Sequence, residues 1–273
     1  MAEIEYDDLT RGFAVRELQL AKTRAYIRWI DLPGDDPGAP VRVYLHGLGC
    51  TASSDFAHVV ARPGLRGARS LLVDLLGYGL SDRPRDFGYR MEEQAEVVAE
   101  LLDREGIRGV DLVGHSMGGA VAIQLAAARP DLVARLVVAE PNLYPGGGAF
   151  STPVAEQSEA EFVREGHARM LAEQAPDYAA RVRLADPVAL HRSAVALVEG
   201  TAPSGGELLT RLDRPRAFLV GERSRPDAEA DGMEAAGVPV FEVPDAGHNM
   251  LIENPNGFAE ALSRALAGAQ PAA

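Results

Sequence analysis

Cysteine is almost missing from this sequence, since Cys50 is the only one among 273 residues. A single thiol excludes an intramolecular disulfide and a cysteine metal cluster. Long apolar runs are also missing, because none approaches the roughly 18 residues that a membrane-spanning helix needs. The N-terminal segment 1–10 is acidic and lacks the basic and then apolar order of a signal peptide. We therefore expect a cytoplasmic protein.

Basic residues are scarce relative to acidic ones. Lysine and arginine together number 27, against 40 aspartates and glutamates, so the formal net charge is −13. Nucleic acids and anionic membranes both bind basic surfaces, and we therefore expect neither as a partner. The sequence carries no signal for an oligomeric state.

What the chain does have is a repeated alternation of short apolar runs and helical patterns. Its length suits one α/β domain with a single large core. Consecutive apolar and β-branched positions are typical of strands buried on both faces of a parallel sheet. The sequence therefore predicts a mostly parallel twisted sheet with helices on both faces. The predicted strands lie within 24–30, 41–47, 70–77, 110–116, 134–141, 216–222 and 238–247, and helical patterns within 91–106, 117–130 and 254–268.

One stretch interrupts this alternation, because residues 145–213 contain no strand pattern. The stretch begins with the turn-rich sequence PGGGAFSTP and continues with two helical patterns. We interpret 145–213 as a helical cap inserted between two strands of a core formed by 1–144 and 214–273. Insertions of this kind commonly cover a site and shape its substrate pocket.

The sequence VGHSMGGAVAIQL has one serine, Ser116, between an apolar run and a helical pattern. Gly114 stands two residues before this serine and Gly118 two residues after it. A strand, a tight serine turn and a helix form a nucleophile elbow, in which bulky residues at those two positions would collide with the flanking elements. The alternative is a serine that only caps the helix. The combined context favours a nucleophile at a helix N-terminus, where backbone amides stabilise a developing anion.

A second glycine-containing turn, HGLG, directly follows another predicted strand. Between Gly47 and Gly49, the backbone N–H of Leu48 is expected to face the serine. Together with the N–H of Met117 it would form the two-donor oxyanion hole that acyl transfer requires. The turn alone would be ordinary, and its combination with the elbow favours the functional interpretation.

The candidate base is His248, in the loop VPDAGHNM after the last predicted strand. Among the six histidines it alone lies late in the chain at the C-terminal end of a strand, where binding residues collect in open α/β sheets. Its imidazole can accept the serine proton and return it to the leaving group. The other five lie in helical patterns or in the motifs already described: His46, His58, His115, His167 and His191.

These motifs together resemble the α/β-hydrolases. HGLG, VDLLGYGLSDRP, VGHSMGG, a helical cap and DAGHNM occur in the order and at the spacing of that family, over nearly the whole chain. The resemblance implies an enzyme with Ser116 as nucleophile and His248 as general base. It also implies that the Leu48 and Met117 amides form the oxyanion hole, and that no cofactor and no metal take part.

The sequence departs from the family at the carboxylate that should hold the histidine. Relatives commonly carry an aspartate after the strand that follows the cap, and in VGERSRPD that position is Ser224. Glu222 and Asp227 lie nearby. In a subset of the family the acid ends the strand before the cap, where LVVAEPN has Glu140, a glutamate that would be costly to bury without a partner. We predict Glu140 as the acid, with Asp227 as the alternative.

The expected reaction is hydrolysis of an ester, or a related acyl bond, of a small organic substrate through an acyl-enzyme. The same three side chains would serve a carbon–carbon bond hydrolase, a thioesterase or a perhydrolase. A ligand-binding or sensor protein with little turnover is an alternative of a different class, since one fold hosts many functions.

Overall fold

Eight strands form one sheet in the computed structural model, which describes residues 13–268. The acidic segment 1–10 and the part of 214–273 beyond residue 268 lie outside the described residues. Each of the seven runs predicted as strands overlaps one strand of the sheet. The strands are β1 (Ala14–Gln19), β2 (Tyr26–Leu32), β3 (Arg42–Leu45), β4 (Ser70–Asp74), β5 (Val110–His115), β6 (Val133–Ala139), β7 (Arg216–Gly221) and β8 (Val240–Val243).

The eighth strand, β1, has no counterpart among the predicted strands. It lies at one edge of the sheet and pairs only with β2. All its residues are half-buried or exposed, so its sequence lacks the apolar run that marks the interior strands.

The sheet has the order β1-β2-β4-β3-β5-β6-β7-β8. β2 runs antiparallel to both of its neighbours, whereas every pair from β4 across to β8 is parallel. Every residue of β4 and β5 is buried, which explains why their sequences, SLLVD and VDLVGH, are largely apolar. Because the carboxyl ends of the parallel strands meet at one edge of the sheet, the loops that follow them gather there.

Helices cover both faces of this sheet, as predicted. Buried side chains form two clusters, one on the face covered by the helices 91–104 and 117–128 and one on the face covered by 52–60 and 255–266. No helix within residues 13–268 has the length and apolar composition needed to cross a bilayer. The helices are α1 (Ala52–Val60), α2 (Met91–Arg104), α3 (Met117–Ala128), α4 (Ser151–Ala155), α5 (Glu159–Glu161, continued by a π-helical turn Phe162–Gly166), α6 (His167–Glu173), α7 (Pro176–Val182), α8 (Pro187–Glu199), α9 (Gly205–Arg211), α10 (Ala228–Ala235), α11 (Met250–Glu253) and α12 (Pro255–Leu266).

The segment 145–213 consists of the helices α4 to α9 and their loops, and its only β pairing is an isolated bridge between Ala185 and Tyr78. Its last helix, α9, packs on α3, whereas α4 packs on α8. The division of the chain into a core and a cap stays a prediction.

Candidate active site

Ser116 lies in the turn between β5 and α3 with φ 51° and ψ −119°, a backbone conformation that costs a residue other than glycine roughly 1–3 kcal/mol. Strain of this kind persists where the surrounding structure enforces it, commonly at functional sites. A Cβ on Gly114 would lie 2.4 Å from the Gly118 carbonyl oxygen, and one on Gly118 would lie 2.2 Å from the carbonyl oxygen of Leu45. Only glycine fits at either position, as the elbow motif predicts.

Three side chains from distant parts of the chain meet beside this turn. Nε2 of His248 lies 3.1 Å from Oγ of Ser116, and Nδ1 of His248 lies 2.7 Å from Oε2 of Glu140. They follow β5, β6 and β8, whose carboxyl ends lie at the same edge of the sheet. The His248 side chain is 50% exposed and that of Glu140 only 9% exposed, so the ring faces solvent while its carboxylate partner is covered.

Glu140 is held as a carboxylate by its neighbours. Burial alone would raise its pKa, but hydrogen bonds from His248, the Gly221 amide and the Ser224 hydroxyl outweigh burial and hold the pKa below its usual value. The Gly221 amide donates to Oε1 at 2.9 Å. Ser224, which stands where relatives have an aspartate, therefore supports the acid on the neighbouring strand.

The other acid candidates have different partners. Asp227 precedes α10 and accepts a hydrogen bond from the Ala230 amide at 2.8 Å, so its carboxylate caps that helix. Glu222 accepts a hydrogen bond from the Asp245 amide at 2.8 Å. The structure therefore brings Glu140, and not Asp227, to the ring of His248.

The two amides expected to form an oxyanion hole flank the serine. Leu48 follows β3 in a turn in which Gly49 has φ +75°, and Met117 is the first residue of α3. Within residues 13–268 neither amide donates a hydrogen bond to another part of the chain. For Met117 this is expected, because the first N–H groups of a helix have no acceptor within the helix. A Cβ on Gly47 would lie 3.1 Å from Nδ1 of His115, so this turn also packs closely against the elbow.

Asp55, on α1, supports this arrangement, although it belongs to none of the sequence motifs. The buried carboxylate accepts a hydrogen bond from the Gly47 amide at 3.0 Å, and its Oδ2 lies 3.5 Å from Nδ1 of His115. The opposite ring atom, Nε2 of His115, donates to the carbonyl oxygen of His248 at 3.0 Å. Burial opposes ionisation of Asp55, but the neighbouring His115 and the Gly47 amide lower its pKa. One carboxylate thus connects the turn before Leu48 to the loop of His248.

A cavity of about 710 Å³ opens onto Ser116 and His248. Helices between β6 and β7 contribute much of its wall. From this segment come apolar and aromatic side chains together with one cation and one anion: Phe150, Tyr178, Leu197, Arg181 and Asp177. Within residues 13–268, no three His, Cys, Asp or Glu side chains are grouped so that they could hold a metal ion.

Several curated proteins align with part of this chain, among them a lipase and a hydrolase. Lipase LipV of Mycobacterium tuberculosis is 50% identical over 68 residues, which is 25% of this chain and 25% of the lipase. The 2-hydroxymuconate semialdehyde hydrolase of Pseudomonas sp. is 35% identical over 115 residues, 42% of this chain and 38% of that hydrolase. The chain therefore spans less than half the length of these curated relatives.

Solved structures share the fold over nearly all of the chain. A thermophilic esterase from Thermogutta terrifontis, solved with malate bound, superimposes with a TM-score of 0.76 at 21% identity, covering 93% of this chain and 98% of the esterase. E-2-(Acetamidomethylene)succinate hydrolase superimposes with a TM-score of 0.71 at 21% identity, covering 93% of this chain and 99% of that hydrolase. These similarities confirm the predicted fold.

The sequence also matches the family model described as the alpha/beta hydrolase family, over residues 43–261. The match contains all but the first residue of β3, the strands β4 to β8 and the residues from Leu48 to His248. The resemblance noted in the sequence is thereby confirmed. The chain belongs to the alpha/beta hydrolase family and is an enzyme.

Proposed function

We propose that this enzyme hydrolyses an ester of a small organic substrate through an acyl-enzyme on Ser116. The observation that carries the proposal is the hydrogen-bonded order Ser116–His248–Glu140, with 3.1 Å and 2.7 Å between successive partners. A serine alcohol is a weak nucleophile until an adjacent base takes its proton, and this order supplies both the base and the group that orients it.

In the first half of the reaction, Nε2 of His248 accepts the Ser116 proton as Oγ attacks the carbonyl carbon of the ester. Glu140 stabilises the imidazolium and fixes its ring orientation. The tetrahedral oxyanion is stabilised by the Leu48 and Met117 amides, which donate to no other group among the described residues. His248 then protonates the leaving alcohol, and the C–O bond breaks to give the acyl-enzyme.

In the second half, a water replaces the alcohol. His248 accepts a proton from this water as its oxygen attacks the acyl carbon, and returns the proton to Oγ as the acid leaves. The balance is one water consumed for one acid and one alcohol formed. No metal and no cofactor enters these steps.

The substrate size follows from the cavity. A volume of about 710 Å³, with apolar and aromatic side chains on the wall formed by 145–213, suits a small organic ester. We therefore assign 145–213 as the cap that shapes the pocket, and 1–144 with 214–273 as the core that holds the reacting groups. A sensor protein would not need three hydrogen-bonded groups in this order.

Carbon–carbon bond hydrolysis is the second candidate. One relative, 35% identical over the aligned part, is named 2-hydroxymuconate semialdehyde hydrolase. Such a reaction would use the same three side chains, as would a thioesterase or perhydrolase. It differs in its leaving group, a carbon rather than an oxygen or sulfur atom.

The test is covalent labelling combined with turnover. Wild-type protein should gain the mass of one fluorophosphonate adduct, located at Ser116 by peptide mass spectrometry, and should hydrolyse p-nitrophenyl butyrate. Ser116→Ala should lose the adduct and lower kcat by several orders of magnitude. Ser151→Ala is the matched control, because Ser151 also lines the cavity but contacts neither His248 nor Glu140. Labelling that persists in Ser116→Ala would overturn the proposal.

A further inference from the structure

The helix α7 covers the turn that carries Leu48. A Cβ on Gly49 would lie 3.3 Å from Cγ2 of Val182, the last residue of α7. Tyr178, earlier in the helix, packs edge-on against Phe150 with ring centroids 5.6 Å apart. Arg181, which precedes Val182, therefore lies on a helix held directly against the reacting end of the cavity, and its side chain forms part of the cavity wall.

Arg181 has too few partners for a largely covered charge. Its side chain is 17% exposed, and its contact within the described residues is one hydrogen bond from Nη2 to Oδ2 of Asp177, long at 3.4 Å. A guanidinium has five N–H donors, and the other four make no hydrogen bond within the described residues. The Asp177 side chain is 70% exposed, so water screens its charge.

The remaining charged groups on the cavity wall leave Arg181 without a second anion. Glu253 is occupied, since its Oε2 accepts hydrogen bonds from the Gly247 amide and from Arg223. Asp55 does not line the cavity, and its carboxylate accepts a hydrogen bond from the Gly47 amide. Among the described residues that line the cavity, Arg181 is the only lysine or arginine. The cavity thus contains, beside apolar side chains, one cation with a single long hydrogen bond to an exposed aspartate.

We propose that Arg181 binds a carboxylate of the substrate, so that the preferred ester carries a second, ionised acid group. This inference rests on the proposed function and names its substrate class. A guanidinium is planar and binds a carboxylate through two parallel N–H···O bonds, which fixes orientation as well as adding affinity. The apolar wall would then contact the hydrocarbon between that carboxylate and the ester carbonyl at Ser116.

The carboxylate can lie on the acyl part or on the alcohol part, and paired esters separate these cases. Mono-p-nitrophenyl glutarate is compared with p-nitrophenyl pentanoate for the acyl part, and 4-carboxyphenyl butyrate with phenyl butyrate for the alcohol part. For one of the two pairs, wild-type protein should show a higher kcat/KM for the anionic ester. The preference is the kcat/KM of the anionic ester divided by that of its neutral partner. Arg181→Met should lower this ratio at least tenfold, and Arg181→Lys should restore part of it. Arg183→Met, which removes an exposed arginine from the end of the same helix, should leave the ratio unchanged.

The inference is overturned if the ratio of kcat/KM between anionic and neutral ester is equal in wild type and Arg181→Met. It is also overturned if the wild-type protein prefers neither anionic ester. If no ester is turned over, the proposed function fails, and a binding measurement still tests Arg181. Glutarate is titrated by calorimetry into Ser116→Ala and into Ser116→Ala/Arg181→Met. Binding should weaken at least tenfold in the double variant, and equal or undetectable binding in both would overturn the inference.

Discussion

Oε2 of Glu140 lies 2.7 Å from Nδ1 of His248, although 108 residues separate the two in the chain. The contact forms because both residues follow parallel strands of the same sheet, β6 and β8, and it gives the imidazole a carboxylate partner on the side away from Ser116. Glu140 itself has a left-handed backbone conformation, with φ 39°, which turns its side chain back towards the amide of Gly221.

The first prediction concerns this contact. Glu140→Gln keeps the shape of the side chain but removes the charge that stabilises the imidazolium, so kcat should fall by about 10²–10⁴. Asp227→Asn should lower kcat less than about tenfold, because Asp227 caps α10 instead. Steady-state kinetics on p-nitrophenyl butyrate measure both. The reverse ranking would move the acid to the strand after 145–213.

Much of this site was predictable because its signals are local. The elbow is encoded by Gly114, Ser116 and Gly118 within five consecutive positions, and His248 stands directly after a predicted strand. Interior strands are largely apolar because both of their faces are buried. The edge strand β1 has no apolar run, so its sequence does not predict a strand.

The acid and its supports were less predictable, since they depend on which strand ends meet. Only the sheet order shows that Glu140, which follows β6, lies beside the end of β7 at Gly221. Ser224 comes shortly after β7 in the chain. Asp55 gave no signal at all, because an acidic residue in an amphipathic helix ordinarily faces solvent. Asp55 is buried because α1 packs closely against the turn at Gly47.

A second prediction tests the steric demand of the elbow. Gly118→Ala introduces a Cβ 2.2 Å from the carbonyl oxygen of Leu45, and backbone atoms cannot yield at that distance without moving β3. We expect the variant to lose at least about 3 kcal/mol of unfolding free energy or to accumulate as insoluble protein. Gly67→Ala is the control, because nothing lies within 4 Å of its Cβ position. Urea unfolding with equal midpoints for the two variants would contradict the prediction.

A third prediction concerns Asp55. Asp55→Leu leaves the buried Gly47 amide without an acceptor, which should lower the free energy of unfolding by about 1–3 kcal/mol. It should also lower kcat, because the turn that presents the Leu48 amide loses its anchor. Asp55→Asn retains an oxygen acceptor and should cost less on both measures. Urea unfolding and ester kinetics on the same preparations test this, and equal losses in the two variants would show that the hydrogen bond is not the cause.

The last prediction concerns Glu229, in the first turn of α10. Burial raises its pKa, the charges of Asp227 and Glu140 add to this, and the pKa reaches about 7 against a usual value of 4.5. Because the folded protein holds this proton more tightly than the unfolded chain, the stabilisation is fully present below about pH 4.5 and is lost as the pH rises through about 7. Ionised Glu229 therefore destabilises the fold at pH 8.

Glu229→Gln should accordingly raise the free energy of unfolding by about 1–2 kcal/mol at pH 8, a value reduced from the full shift to allow for solvent screening. At pH 4 the side chain is uncharged in both proteins, and the gain should vanish. Glu234→Gln, at an exposed position of the same helix, is the control and should change stability little at either pH. Urea unfolding of the three proteins at pH 4 and pH 8 provides the measurement. A gain of equal size at both pH values would assign the effect to packing or helix propensity and not to the charge of Glu229.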